Sequence, residues 1–253
     1  MIEKRFNLKN KVAIITGASK GIGEAIAYAL GQADAKLVIN SRNQESIDQV
    51  VASFQSEGIE AVAIAANTGK ESEIQMLVKK TMEVYGRIDI IVNNAGTNLL
   101  QAPIVDTSSK LFDKMMDINL KGPFWLCKYA YPYLKKQGGS IINISSVEGL
   151  QPSEGMGIYS MTKSALIMMT KTMAKEMGKD NIRVNAICPG YIRTKLTASL
   201  MDSEDTKAKI IGQQSIPHEA EPKDIAGTAL LLASDAGQFF TGSVITVDGG
   251  FTL

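Results

Sequence analysis

Seven short runs of β-branched and other apolar residues, set apart by longer amphipathic stretches, most constrain how this chain can fold. Val12–Thr16, Leu37–Asn40, Ala61–Ala65, Ile88–Val92, Ser140–Ile144, Arg183–Ile187 and Val244–Val247 read as strands. The stretches between them, Ile22–Ala33, Gln44–Glu57, Glu71–Tyr85, Ser108–Lys136, Ile158–Met177 and Pro222–Leu232, carry helical periodicity. Strands that are apolar throughout belong to a parallel sheet covered on both faces. The alternation therefore predicts an α/β fold: a doubly wound parallel seven-stranded sheet with helices on both faces and right-handed crossovers. No Pro/Ser-rich linker, repeat or low-complexity segment interrupts it, so residues 1–253 are expected to form a single domain.

Composition narrows the class. An apolar fraction of 45% and a charged fraction of 21% are typical of soluble globular chains. A formal net charge of +1 argues against nucleic acid or an anionic membrane surface as the main partner. The apolar runs are too short to span a bilayer. MIEKRFNLKN lacks an apolar signal core, which makes a cytoplasmic location the expectation. Cys127 and Cys188 lie in apolar stretches and read as buried thiols; they support neither a disulfide framework nor a metal site.

Thr16-Gly17-Ala18-Ser19-Lys20-Gly21-Ile22-Gly23 follows the first predicted strand and opens a helix. Glycines let the backbone turn sharply and approach a pyrophosphate, whose charge the amides of a helix N-terminus then meet. The spacing over Gly17, Gly21 and Gly23 is G-x-x-x-G-x-G, not the general G-x-G-x-x-G. At the end of the second strand the chain reads Asn40-Ser41-Arg42-Asn43. NAD-selective sites place an acid here for the ribose 2′-hydroxyl, whereas NADP sites place positive charge. No acid is present. Arg42, with Lys20 on the other side of the same ribose, points to NADP(H) over NAD(H).

Tyr159-Ser160-Met161-Thr162-Lys163 puts a phenol and an ammonium four residues apart on one helical face. A nearby ammonium favours phenolate, so the tyrosine pKa is expected to fall and Tyr159 to serve as an acid–base near neutral pH. Ser146 stands just past an apolar strand, where open α/β sheets bind ligands. Asn119, in the middle of a predicted helix, needs a partner if buried, and a water linking it to Lys163 is one solution.

Together these residues resemble the classical short-chain dehydrogenase/reductase family. Asn119, Ser146, Tyr159 and Lys163 match its catalytic tetrad, and the glycine spacing matches its phosphate turn. Asn93-Asn94-Ala95-Gly96 is similar to its N-N-A-G stretch, Pro189-Gly190 with Ile192 and Thr194 to its P-G-x-x-x-T segment, and Asp248-Gly249-Gly250 to its C-terminal signature. The likeness runs from about Leu8 to Gly250. It implies a Rossmann-type fold and a cofactor site made of Gly17, Ser19, Lys20, Gly21, Ile22, Gly23, Ser41, Arg42, Asn67, Thr68, Asn94, Ala95, Gly96, Pro189, Gly190, Ile192 and Thr194, with Tyr159 and Lys163. It also implies hydride exchange between the nicotinamide and a small-molecule carbonyl or alcohol. Tyr159 would give the proton, Ser146 steady the carbonyl and Lys163 hold the ribose, while Asn119 would anchor a proton-supplying water. A homotetramer built through the two long helices is implied as well.

Where relatives carry an aspartate for the adenine amino group, Asn67 stands here; an amide accepts the same bond without the charge. Residues 191–216 are expected to form a substrate lid. Thr97, Asn98, Glu148, Leu150, Gln151, Met156, Ile158 and Tyr191 are expected to line the substrate pocket. Ser145 and the only histidine, His218, read as structural, and the twelve methionines as core and interface filler. Two other functions compete. A 3-oxoacyl-acyl-carrier-protein reductase would need cations for an acidic partner, yet Gln137 and Asp180 stand where its arginines are sought, with Lys135, Lys136, Lys175 and Lys179 nearby. A dinucleotide-sensing protein without catalysis is the other, and the intact tetrad weighs against it.

Overall fold

A computed structural model describes residues 2–98, 102–194, 197 and 203–253. Seven strands form one parallel sheet: β1 (Val12–Thr16), β2 (Lys36–Asn40), β3 (Ala61–Ala63), β4 (Ile90–Asn93), β5 (Gly139–Ile144), β6 (Ile182–Pro189) and β7 (Val244–Val247). Their spatial order is β3-β2-β1-β4-β5-β6-β7. The order reverses between β1 and β4, and a crevice opens at such a reversal beyond the strands' carboxyl ends. Rossmann-type winding is thus present as expected.

The helices are α1 (Ile2–Phe6), α2 (Gly21–Gln32), α3 (Gln44–Ser56), α4 (Glu71–Tyr85), α5 (Ser109–Met116), α6 (Gly122–Leu134), α7 (Gly157–Met177), α8 (Glu204–Gly212) and α9 (Lys223–Ala233). Successive residues of β1 face opposite sides of the sheet. Ala13 and Ile15 pack with Ile26 and Leu30 of α2, Phe54 of α3 and Ile225 of α9. Val12 and Ile14 pack on the other face with Leu77 of α4, Leu126 of α6 and Met173 of α7. Two apolar layers, one per face, explain why the strands lack polar alternation. Cys127 and Cys188 are buried free thiols, as expected.

One predicted helix is interrupted. Ser108–Lys136 is not continuous: α5 and α6 are joined by a π-helical turn over Asp117–Lys121. The wider turn holds Asn119, fully buried. Past the turn, Gly122 crosses the chain after β3 so closely that a Cβ there would stand 2.5 Å from the Thr68 carbonyl oxygen. Side-chain caps mark other helix starts, as where Asn43 Oδ1 accepts from Ser46 N at 2.8 Å ahead of α3. Among the described residues no helix is long and apolar enough to cross a membrane.

Candidate active site

A cavity of about 430 Å³ lies at the carboxyl ends of the strands, beside the reversal in strand order. Its floor is the glycine turn. Gly17 and Gly21 take φ of +64° and +65°, a region that favours glycine. At Gly17 a Cβ would also meet the Ala95 Cα at 2.9 Å. The turn is bolted to the strand alongside. Thr16 Oγ1 accepts from the backbone N–H groups of Asn94 and Ala95 at 3.1 and 3.0 Å. Asn94 Nδ2 donates to the carbonyls of Thr16 and Gly17 at 2.9 and 3.1 Å.

Ser19, Lys20, Gly21, Ile22, Ser41, Arg42, Asn67, Thr68, Asn94, Ala95 and Gly96 all line this one cavity, as do Pro189, Gly190, Ile192 and Thr194. Gly23 does not. Its α-hydrogens face the bolt instead, and a Cβ there would stand 2.4 Å from Asn94 Nδ2. It is a packing glycine rather than a cavity residue. Asn67 Oδ1 is already engaged, accepting from Gly69 N at 3.0 Å, so the amide works first as a turn former. Among the described residues neither Lys20 nor Arg42 forms an ion pair, and both are exposed. The floor and its free cations therefore fit a ligand bearing several phosphates. Asn40, Asn43, Ser46, Ala66, Ile118 and Ile144 line the same cavity without having been singled out as site residues. Only Asn40 and Ile144 had a legible signal, their place at a strand's carboxyl end.

The far wall carries Ser146, Tyr159 and Lys163. Ser146 follows β5, and its hydroxyl accepts from Glu148 N at 3.1 Å. Lys163 is buried, and its Nζ donates to the Ile144 carbonyl at 2.8 Å. The Nζ lies 5.6 Å from the centre of the Tyr159 ring. Burial lowers the Lys163 pKa to about 8. Burial also raises the Tyr159 pKa to about 12, against the nearby Ser146, which pulls it down. The expected fall in the tyrosine pKa is thus reversed: with Lys163 turned toward Ile144, desolvation dominates.

Asn119 is brought beside this wall but does not line the cavity. Its Nδ2 donates to the Thr97 carbonyl at 2.8 Å and to Thr162 Oγ1 at 3.0 Å. Its Oδ1 accepts from Thr97 N at 2.8 Å. Protein groups satisfy the side chain, so no water to Lys163 is needed for that purpose. Ser145, read from the sequence as structural, donates to the Lys163 carbonyl at 2.9 Å and also lines the cavity.

The expected substrate pocket divides. Thr97 lines the main cavity, while Tyr191 lines a neighbouring one of about 230 Å³ together with His218. His218 lies 3.0 Å from Asp224, a surface contact. Glu148 is buried in a hydrogen-bonded clamp, and Gln151 donates to the Thr252 carbonyl at 3.3 Å. Asn98 donates to Met156 Sδ at 3.1 Å. Of the expected lid, Ile192, Thr194 and Thr197 line the main cavity, and α8 and the stretch to Ser215 follow. Lys195, Leu196 and residues 198–202 lie outside the described residues.

The chain is similar to known proteins over nearly its whole length. A family model described as enoyl-(acyl carrier protein) reductase matches residues 17–252. Human dehydrogenase/reductase SDR family member 4 is 37% identical over 248 residues, covering 98% of this chain and 89% of that protein. Tropinone reductase-like 3 of Erythroxylum coca is 36% identical, over 99% and 95%. The crystal structure of a gluconate 5-dehydrogenase from Burkholderia cenocepacia, in complex with NADP and tartrate, superposes with a TM-score of 0.95 at 31% identity, over 100% and 99%. The chain belongs to the short-chain dehydrogenase/reductase family, a class of oxidoreductases.

Proposed function

We propose that this protein is an NADP(H)-dependent oxidoreductase that moves hydride between the nicotinamide and a small-molecule carbonyl compound or secondary alcohol. One observation carries the reading: a single cavity holds the glycine turn at one end and Ser146, Tyr159 and Lys163 at the other. When bound, the nicotinamide supplies hydride to a carbonyl carbon or receives it from an alcohol. Tyr159, kept as a neutral phenol near pH 7, donates its proton to the carbonyl oxygen during reduction. Ser146 hydrogen-bonds the same oxygen and limits its motion. Lys163, largely an ammonium below pH 8, holds ribose hydroxyls and offsets charge left on the phenol. Asn119 acts through position, tying α7 to the segment after β4 by its bonds to Thr162 and Thr97.

Arg42, just past β2, and Lys20, in the turn after β1, support the choice of cofactor, since both line the cavity and have no acidic partner among the described residues. The complex of the Burkholderia enzyme with NADP is in keeping with that choice. Arg42→Ala is expected to raise the KM for NADPH on the order of 10-fold or more while changing that for NADH little, from loss of a charge-assisted phosphate contact. Steady-state kinetics with both cofactors check this. Equal effects on the two cofactors would remove Arg42 from the phosphate site.

The reading includes a homotetramer, supported by Phe124 on α6 and Met161 and Met168 on α7, which stay exposed in the single chain. The description of the matching family model names an acyl-carrier-protein substrate, but the two positions where arginines are sought for such a partner are engaged elsewhere. Gln137 is used in donating to the Ile88 carbonyl, and Asp180 in accepting from the Tyr131 hydroxyl.

A further inference from the structure

Glu148 stands two residues past Ser146 and is buried, and the proton transfer described above makes no use of its carboxylate. Its oxygens are held from two sides. Oε1 accepts from the Ser153 hydroxyl at 2.6 Å. Oε2 accepts from the Ser153 backbone N–H at 3.0 Å and from the Ser160 hydroxyl at 3.1 Å. The Glu148 N–H donates to Ser146 Oγ at 3.1 Å. Ser160 follows Tyr159 at the start of α7, so one side chain ties the turn after Ser146 to the helix that carries the phenol.

All three of those donors are neutral, and no cation pairs with Glu148 among the described residues. Burying a carboxylate this way is costly unless it is well bonded, and its charge stays largely unscreened. A negative charge close to a phenol favours the protonated phenol.

We propose that Glu148 is a positioning residue that holds the Ser146 turn against α7 and sets a fixed negative charge beside the start of that helix, where Tyr159 stands. Its consequence for turnover rests on the oxidoreductase reading; its effect on Tyr159 does not.

The groups facing Tyr159 are few. Ser146 beside the phenol favours phenolate, whereas Glu148, Cys188 and Tyr191 each favour the phenol. Lys163 lies against the ring from the same helix. Burial is the leading cause of the raised tyrosine pKa, and Glu148 is the first of the charges that add to it. The same carboxylate also raises Tyr191, behind burial, where the expected lid begins.

The sign follows. Glu148 raises the Tyr159 pKa, so removing its charge lowers that pKa and moves the onset of phenolate to lower pH. Glu148→Gln keeps the shape and removes the charge; Glu148→Ala removes both. Carbon-13 NMR of labelled tyrosines in the cofactor-free protein reads the effect, with the Tyr159 signal assigned by its loss in Tyr159→Phe. In both variants the Tyr159 titration is expected to begin roughly one pH unit lower, the scale of a close like charge. The alkaline rise in alcohol oxidation is expected to move down with it. Glu148→Ala is expected to lose a further roughly tenfold in kcat through misalignment, little of it in KM.

An unmoved or upward-moved Tyr159 titration in either folded variant would overturn the proposal. Ser160→Ala guards against poor folding of both: it takes a donor from the carboxylate but leaves the charge. Its titration is expected to stay or rise, and a downward move would count against the proposal. If the wild-type protein turns over no carbonyl or alcohol, the oxidoreductase reading fails while the titration still decides the role of Glu148.

Discussion

Tyr159→Phe is expected to lower turnover by roughly 10³-fold or more, the range for losing a general acid or base, while NADPH affinity changes only a few-fold. The variant deletes a single oxygen. The phenylalanine ring keeps its place beside the buried Lys163 ammonium, so the wall of the cavity stays intact. Ser146, whose oxygen accepts from Glu148 N–H, keeps its own proton for a hydrogen bond to the substrate oxygen, but an aliphatic hydroxyl is a far weaker acid than a phenol and does not give that proton up. With the phenol gone, the oxygen that gains charge during hydride arrival has no proton donor at hand. NADPH fluorescence titration and steady-state turnover, measured on one preparation, separate binding from chemistry. Turnover within tenfold of wild type would remove Tyr159 from the chemical step.

Gly23→Ala is the second large effect, and it acts at the other end of the cavity. Its new Cβ would stand 2.4 Å from Asn94 Nδ2 and 2.7 Å from the Gly17 carbonyl oxygen. Neither neighbour is free to move, because Asn94 Nδ2 bridges the Thr16 and Gly17 carbonyls. Overpacking of this kind costs about 1–3 kcal/mol, and each neutral hydrogen bond lost adds about 1 kcal/mol. For a chain of this size that corresponds to a fall in Tm of roughly 5–10 °C. The displaced turn also loses its fit to phosphate, so NADPH affinity is expected to drop on the order of tenfold or more. Gly227→Ala is the control: no atom lies within 4 Å of its would-be Cβ, and it sits in α9. That variant is expected to hold or gain stability, as alanine does inside a helix. A Gly23→Ala protein that melts and binds like wild type would contradict the packing account of the turn.

Much of this was legible in the sequence for a physical reason. A parallel sheet covered on both faces demands unbroken apolar strands, and β1, β5 and β7 stand within a residue of where such runs occur. The glycine turn was legible because positive φ and close backbone approach select glycine, as at Gly17 and Gly21. What escaped depends on contacts distant in the chain. Helical periodicity runs on through Ser108–Lys136, and only the bonds of Asn119 to Thr97 and Thr162 account for the π turn there. The direction of the Tyr159 shift turned on burial and on Lys163 facing Ile144, neither of which a four-residue spacing reveals. Glu148 looked like a pocket residue because it follows Ser146; the serines that enclose it, five and twelve residues on, decide otherwise. Gly23, expected in the cofactor site by its pattern, stands off the cavity lining and packs against Asn94, a contact that the spacing alone does not reveal.

A panel of ketones, aldehydes and secondary alcohols assayed with the wild-type protein, with NADPH/NADP and NADH/NAD side by side, decides whether this protein is an NADP(H)-dependent carbonyl oxidoreductase. Turnover is expected on part of the panel, with kcat/KM at least about tenfold higher with the phosphorylated cofactor, the scale of one charge-assisted phosphate contact. A clear preference for NADH, or tight NADPH binding with no turnover on any compound, would contradict that reading.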